Sequence, residues 1–476
     1  MFPSAFLALV DEAMGPGAHV VGGAVRDRLI DRETYDLDVS VPGDAARAAD
    51  RLAAATGGRA FPLHAELGIL RVVTDHGNVD VARFQGRTLD DDIDRRDFTI
   101  NALAVPLAAW RGRAWRMAIV DRHGGVADIR RKVLSPVSKK IFTEDPLRLL
   151  RAFRIGAELG FTLSPAALAL IRKHKALARK PAAERLREEM LKTFSTPRAH
   201  AALALMDKAG VLDVIFPNAK PLRKTAPRYY GKGGVLKHTL DSVRLFEDVE
   251  ASLRSWFPRS ATKIKAYLAA PTSGYSMSAH CKWALLLHDI GKPKTAKMID
   301  GRLRFFEHEH VGADMVEKLS AIFRWSSDEQ SRYARLVRHH MRPGNLAMHP
   351  EAGDKAYHRF FRDLAGDAVA MLLVSLADHL TYLTPAQLKK RSSAHELTTI
   401  KMISRFYSQT SRVLPERILT GHDIMKALSL KPSPIIGRLL TESIEAQVEG
   451  KVRNKQEAIE HLRGILPKLE AEAKKP

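Results

Sequence analysis

Residues 22–41 read Gly-Gly-Ala-Val-Arg-Asp-Arg-Leu-Ile-Asp-Arg-Glu-Thr-Tyr-Asp-Leu-Asp-Val-Ser-Val, and the fold turns on them. The apolar run that starts at His19 reads as a short strand closing in the pair Gly22-Gly23. Adjacent glycines let the backbone turn tightly and bring its amides close to a ligand. A basic helix start follows. From Asp36 to Val41 the alternation is strict, so a strand there turns Asp36 and Asp38 to one face and Leu37, Val39 and Val41 to the core. Two carboxylates so placed repel each other unless a cation joins them, and such oxygen pairs suit Mg²⁺ carrying substrate phosphates. The plainer reading of the same residues is a glycine turn before a half-buried strand with an acidic outer face.

Working outward, 476 residues are too many for one core, and about three domains is the natural division. The 76 Lys and Arg against 54 Asp and Glu leave a net charge of +22, which suits a polyanionic partner. Nucleic acid is favoured over membrane, because no stretch is long and apolar enough to span a bilayer. Cys281 is the single cysteine, which excludes an internal disulfide and fits a reducing compartment. With no secretion signal at the amino terminus, the expected location is cytoplasmic. Nothing in the sequence marks a protein partner.

The pattern divides the chain into an α+β head (1–135), a helical neck (136–216), a helical region rich in histidine (235–395) and a small helical tail (396–476). The stretch 217–234, rich in proline, glycine and lysine, reads as a domain boundary. In the head, strands are expected at Leu67–Val73 and Val79–Phe84 and a helix at Asp44–Thr56. In the neck, helices are expected at Pro146–Leu159, Pro165–Ala178 and Ala182–Phe194.

Two metals would need a third carboxylate, and Asp80 qualifies, because its strand neighbours Val79 and Val81 point the other way. Arg95-Arg96 opens an apolar segment and can clamp a triphosphate, or else marks a helix start with exposed arginines. Asn101 can hold a ribose or a backbone turn. Asp145 and Arg148, three residues apart on one helical face, offer an acceptor beside a fork of donors. Cytosine and adenine present an amine next to an acceptor nitrogen, whereas uracil and guanine present a carbonyl that would repel Asp145. Arg151 and Arg154 continue the stripe and either meet phosphates or form a solvated basic face.

Four motifs occur in order: Gly22-Gly-Ala-Val-Arg-Asp with Asp36-Leu-Asp38, Arg95-Arg-Asp-Phe-Thr-Ile-Asn-Ala102, Glu144-Asp-Pro-Leu-Arg-Leu-Leu-Arg-Ala152, and Glu184-Arg-Leu-Arg-Glu-Glu-Met-Leu-Lys192. Together they resemble the class II tRNA nucleotidyltransferase and bacterial poly(A) polymerase family. The resemblance implies a polymerase-β-like head followed by helical neck, body and tail. It implies addition of C and A to tRNA 3′ ends from CTP and ATP, with release of pyrophosphate. It assigns Mg²⁺ to Asp36 and Asp38 with Asp80 as third acid. The triphosphate falls to Gly22, Gly23 and Arg26, the nucleotide to Arg96 and Asn101, and the base edge to Asp145 with Arg148. CCA-adding members carry a flexible loop before the Arg-Arg-Asp motif. Here only Gln85–Asp94 lies between Phe84 and Arg95, as in members that stop after two cytidines.

Further on, His238, His288-Asp289, His308, His339-His340 and Asp378 follow one another, a donor set that suits a transition metal with open positions. Their order resembles the HD phosphohydrolase family. That resemblance makes His238, His288, Asp289 and Asp378 the core ligands of a divalent metal, with His308 and His339 as the extra histidines and His340 as the competing choice. The function expected of the whole is a tRNA 3′-end nucleotidyltransferase adding CC, or CCA, with an accompanying phosphohydrolase activity. A poly(A) polymerase, or a metal phosphohydrolase whose head only binds RNA, is the alternative.

Overall fold

Alternation does build a strand at Asp36–Val41, with Leu37, Val39 and Val41 buried and Asp36 exposed. The structure is a computed structural model that describes residues 2–64, 68–349, 351, 353–409 and 414–473. Seven strands form the sheet of the head: β1 (His19–Val21), β2 (Asp36–Val41), β3 (Arg59–His64), β4 (Ile69–Thr74), β5 (Gly77–Arg83), β6 (Leu103–Pro106) and β7 (Val120–Asp121). Their order is β3-β4-β5-β2-β1-β6-β7. β2 and β5 run parallel, in a register that sets Asp38 opposite Asp80 and Asp36 opposite Asn78. β4 runs antiparallel to β5 and sets Arg71 opposite Asp80. Arg71, Asp80 and Asp38 therefore form one row across three strands.

The helix expected from Asp44 spans Ala45–Thr56, with Asp44 as its cap: its carboxylate accepts the amides of Ala46 and Arg47. Ala45, Ala48, Ala49 and Leu52 are buried, and the helix packs on β4, β5 and the helix Ser4–Met14. Strand β4 begins at Ile69, two residues later than expected; Leu67 lies outside the described residues. The neck helices run Arg148–Leu159, Pro165–His174 and Ala183–Phe194, close to expectation. The first starts two residues late because the Asp145 carboxylate accepts the Leu147 amide and makes a turn of those residues.

Four blocks expected from composition fold as two compact units, Met1–Thr193 with Ala202–Phe216, and Phe194–Ala201 with Pro217–Pro476. Head and neck share the first unit, histidine region and tail the second. The boundary falls at Pro217 rather than through a linker. Residues 217–234 include two short helices, Ala219–Lys224 and Pro227–Tyr230, that belong to the second unit. That unit is built mainly from helices, among them Gly234–Ala251, Met277–Leu287, His308–Phe323, Ser327–His339 and Ala368–Leu380. The last 60 or so residues add Gly421–Leu428, Pro434–Val448 and Lys455–Ala473, which close around Ile424, Leu439, Ala458 and Leu462. No helix among the described residues is long and apolar enough to cross a membrane.

Candidate functional site

The first unit holds a cavity of about 490 Å³ whose lining brings together Gly22, Gly23, Arg26, Asp38, Arg96, Asn101, Asp145, Arg148, Arg151 and Arg154. Residues dispersed over 130 positions of sequence thus meet at one place. Strand β1 ends at the glycines, and Gly22 adopts φ 68°, ψ −128° before the helix Gly23–Leu29 begins. A β-carbon on Gly22 would lie 2.6 Å from Arg96 Nη1, so that position both needs the left-handed backbone and leaves room for a guanidinium. One on Gly23 would lie 3.8 Å from Asp38 Oδ2 and 3.5 Å from Arg26 Nη2. The turn therefore sits directly against the acid and two arginines.

A polar network fixes the cavity wall. Arg26 Nη1 donates to Asn101 Oδ1 at 2.6 Å, and Asn101 Nδ2 donates to Asp97 Oδ1 at 3.0 Å. Asp97 Oδ2 accepts both Nε and Nη2 of Arg151, at 2.9 and 2.8 Å. Burial would raise the Asp97 carboxyl, but Arg151 and the Asn101 amide bring it down to about 2. Asn101 thus spends its amide on the side chains of Arg26 and Asp97, not on the backbone turn considered for it. Glu189, buried, accepts Arg154 Nε at 2.7 Å and lies 3.8 Å from Arg151 Nη1, and Arg154 also reaches Glu158 at 2.9 Å. Arg151 and Arg154 line the cavity as paired wall residues, so the solvated basic face considered for them is corrected: buried acids hold them in place.

Asp145 and Arg148 both line the cavity without pairing with each other. Asp145 Oδ2 lies 3.3 Å from Arg185 Nη2, and Arg148 Nη2 donates to the Arg95 carbonyl at 2.7 Å. Arg96 is held by buried Asp92 at 3.0 Å, which also accepts the Gln85 amide at 3.0 Å and the Ser40 hydroxyl at 3.3 Å. Sequence reading passed over Asp92, Asp97, Glu189 and Arg71. An acid next to or four residues from an arginine was the available signal.

Of the three acids, Asp36 keeps one oxygen on Asn78 Nδ2 at 2.8 Å. Asp38 is raised to about 6, chiefly by burial; Arg96 and Arg26 pull it down, while the like charges of Asp80 and Asp36 push it up. A buried carboxylate that resists ionisation beside a second acid is a donor set that fits a hard divalent cation. Asp80 does not fit so well. Its two oxygens take Nε and Nη2 of Arg71, each at 2.7 Å, a partner one strand away that local sequence did not reveal.

The Asp38 shift sets a pH dependence. Its folded pKa exceeds the ordinary 3.8, so without metal the folded state loses stability as pH rises from about 4 through about 6. A cation that replaces the proton recovers that loss. The Mg²⁺-induced rise in Tm should therefore grow between pH 5 and pH 7.5 and vanish in Asp38→Asn. A shift independent of pH in the native protein would count against Asp38 as ligand.

The second unit holds the histidine centre. His238 comes from the helix Gly234–Ala251, His288 and Asp289 follow the helix Met277–Leu287, and Asp378 lies in Ala368–Leu380. His308 opens one helix and His340 caps another. His288, His308 and His340 hold Nδ1 at 2.7–2.8 Å from the carbonyls of Leu285, Phe305 and Val337. A carbonyl only accepts, so Nδ1 carries a proton, and in the neutral ring Nε2 keeps its lone pair for the centre. Thr381 gives its hydroxyl proton to the Asp378 carbonyl and so accepts from His238 Nδ1, with the same result. The Nε2 atoms converge in two groups, His238, His288 and Asp378 in one, Asp289, His308 and His340 in the other. His238 Nε2 lies 3.0 Å from Asp378 Oδ1 and 3.2 Å from Asp289 Oδ2. His308 Nε2 lies 3.2 Å from His340 Nε2.

Asp289 Oδ1 and Asp378 Oδ1 are buried and accept no hydrogen bond. Orphaned oxygens facing lone pairs call for positive charge at the centre. Burial would lower His288, but Asp289 and Asp378 raise it to about 10, an expression of the same demand. The donors present fit divalent cations: His238, His288 and Asp378 could hold one, and Asp289, His308 and His340 another. His339, the residue expected there, is corrected to His340: neighbours on a helix point about 100° apart, and His340 is the one buried at the centre. A cavity of about 800 Å³ adjoins it, lined by Tyr230, Lys292, Arg304, His308, His340, Asp378 and Tyr382 among others.

Comparison with known proteins covers both units. Family models match as Poly A polymerase head domain (18–135), Probable RNA and SrmB-binding site of polymerase A (160–222), HD domain (235–383) and tRNA nucleotidyltransferase domain 2 putative (383–462). The A-adding tRNA nucleotidyltransferase of Deinococcus radiodurans is 32% identical, over 93% of this chain and 94% of that one. The CC-adding tRNA nucleotidyltransferase of Thermus thermophilus is also 32% identical, over 93% and 92%. Among solved structures, the Thermotoga maritima CCA-adding enzyme complexed with tRNA superposes with a TM-score of 0.61, at 17% identity, covering 98% of this chain and 99% of that one.

Proposed function

Because the chain belongs to the tRNA nucleotidyltransferase family, we propose that its head extends tRNA 3′ ends with two cytidylates, taken from CTP. The observation that carries the choice of product is the segment before the Arg-Arg-Asp motif. Gln85–Asp94 is wholly used in structure: Thr88 and Asp91 form a capping box for the helix Leu89–Asp94, and Arg122 binds Asp90 and Asp94. Nothing there resembles the flexible loop expected of an enzyme that also adds A. Identity does not separate the products, since an A-adding and a CC-adding relative stand equally near.

In this reading the amides of Gly22 and Gly23, with Arg26, hold the triphosphate, and Asp36 and Asp38 hold Mg²⁺. Mg²⁺ there lowers the pKa of the RNA hydroxyl and neutralises the departing phosphates. The RNA 3′-hydroxyl attacks the α-phosphorus in line, and pyrophosphate leaves. Arg96, braced by Asp92, faces the nucleotide over Gly22, and Asp145 with Arg148 meets the base edge. A cytoplasmic location fits a tRNA-processing enzyme whose one cysteine is free and buried.

The deciding experiment supplies tRNA ending at the discriminator base with CTP, ATP or both, and sizes the products. Two residues with CTP and none further with ATP is the expected result. A third residue makes the product CCA, growth of CC-ended tRNA by ATP alone makes the enzyme A-adding, and a long A tract makes it a poly(A) polymerase. Asp145→Ala should relax the preference for C over U by about tenfold or more while changing the Kd for the triphosphate little. Unchanged discrimination in single-turnover assays would remove Asp145 from base reading.

For the second unit we propose metal-dependent hydrolysis of phosphate esters at RNA ends. The histidine centre carries this reading, since a divalent cation held by its imidazoles and carboxylates would activate water at neutral pH. Lys292 lies 2.6 Å from Asp289 Oδ2 and donates to the Tyr230 hydroxyl at 2.8 Å, which stations a cation at the cavity wall for a phosphate.

A further inference from the structure

Arg71 lies at the reaction centre, yet no motif of the sequence pointed to it. We propose that Arg71 binds the last phosphodiester of the incoming RNA, and that Asp80 is its positioning residue and not a metal ligand. The inference rests on the head extending an RNA 3′ end.

The first support is that Asp80 does not fit a metal. Nε and Nη2 of Arg71 take both its oxygens at 2.7 Å, in the parallel two-bond geometry of an arginine–carboxylate fork. The two residues face each other across β4 and β5, so the backbone register itself aligns them. A magnesium ligand would have to bring an Asp80 oxygen to about 2.0–2.1 Å from the ion, beside a guanidinium already bound to that oxygen. Among the described residues no guanidinium forks onto Asp36, whose carboxylate accepts the neutral Asn78 amide.

The second support is position. The cavity that takes the nucleotide is lined by Gly22 and Gly23 just after β1, by Asp38 within β2, and by Arg26 and Asn101, and it touches β4 at its first residue, Ile69. Arg71 stands on β4, two strands beyond β2 in the opposite direction. In-line displacement sets the attacking hydroxyl opposite the leaving pyrophosphate. With the triphosphate at the glycine turn, the RNA end enters over β5 and β4. Arg71 keeps Nη1 outside the fork, with its side chain 27% exposed. A guanidinium held by one carboxylate and open on its other edge suits a phosphodiester.

The test compares Arg71→Gln, Arg71→Lys, Asp80→Asn and Asp36→Asn in the full chain, in an Asp289→Ala background that removes the histidine centre. Mn²⁺ affinity is read by electron paramagnetic resonance, the tRNA Kd by direct binding, and KM for tRNA and for CTP by incorporation. Arg71→Gln and Asp80→Asn should each raise the tRNA Kd and KM about tenfold. They should leave the CTP KM and the Mn²⁺ affinity within about twofold, and the double variant should be no worse than the poorer single one. Arg71→Lys should recover part of the loss, which a packing defect would not allow. Asp36→Asn should weaken Mn²⁺ binding. Loss of Mn²⁺ affinity in Asp80→Asn equal to that in Asp36→Asn overturns the proposal, and so does an unchanged tRNA Kd in Arg71→Gln. Should the native chain extend no tRNA, the functional reading fails, while the Mn²⁺ titrations still decide the place of Asp80.

Discussion

Asp38→Asn is expected to cut nucleotide incorporation into tRNA by about a thousandfold or more, equivalent to ~4 kcal/mol of transition-state stabilisation. The substitution keeps the shape of the side chain and removes its charge. Asp38 is the acid that faces both the glycine turn and the cavity, and it lies on β2, paired with β5 at Asp80 and flanked on the other side by β1. Its carboxyl is destabilised by burial in the absence of metal, so the neutral amide should leave the fold at least as stable at pH 7. The measurement is single-turnover incorporation of labelled CTP beside a thermal melt. Activity within about tenfold of the native protein, with the melt unchanged, would remove Asp38 from the reaction.

The second large effect concerns the other unit. Asp289→Ala should strip the histidine centre of metal, with the metal content of purified protein falling from about two ions per centre to near zero. Asp289 is the residue common to both halves, within 3.2 Å of His238 and His288 on one oxygen and 3.3 Å of His308 on the other. Hydrolysis of phosphate monoesters or of cyclic phosphate ends should go with the metal. CTP incorporation should stay within about twofold, because the acids of the head lie in a separate compact unit. Retention of both metals in the variant, measured by elemental analysis, would show that Asp289 does not bridge them.

Much of this was legible because it is local. The strand of Asp36 and Asp38 follows from alternation alone, the helix at Ala45 from Asp44, and the turn at Gly22 from two glycines. The histidine centre was legible from the order of its residues and the family that order resembles, save for one choice. His339 and His340 are neighbours, and their sequence does not say which one a helix will bury. Pairings across strands or between helices were not legible. Arg71 meets Asp80 only through the β4–β5 register, and Glu189 meets Arg154 only because two neck helices pack. Those pairings give the expected residues partners that local sequence did not reveal. Arg151 and Arg154 became fixed walls, Asn101 a brace, and Asp80 the partner of an arginine.

Three of the four imidazoles take their orientation from a carbonyl three residues earlier in their own turn, at Leu285, Phe305 and Val337. Main-chain oxygens survive every substitution. Mutational drift among the side chains around the cavity can therefore reshape what it admits while the imidazoles stay aimed, so the wall of this cavity is free to diverge between lineages over a fixed set of ring nitrogens.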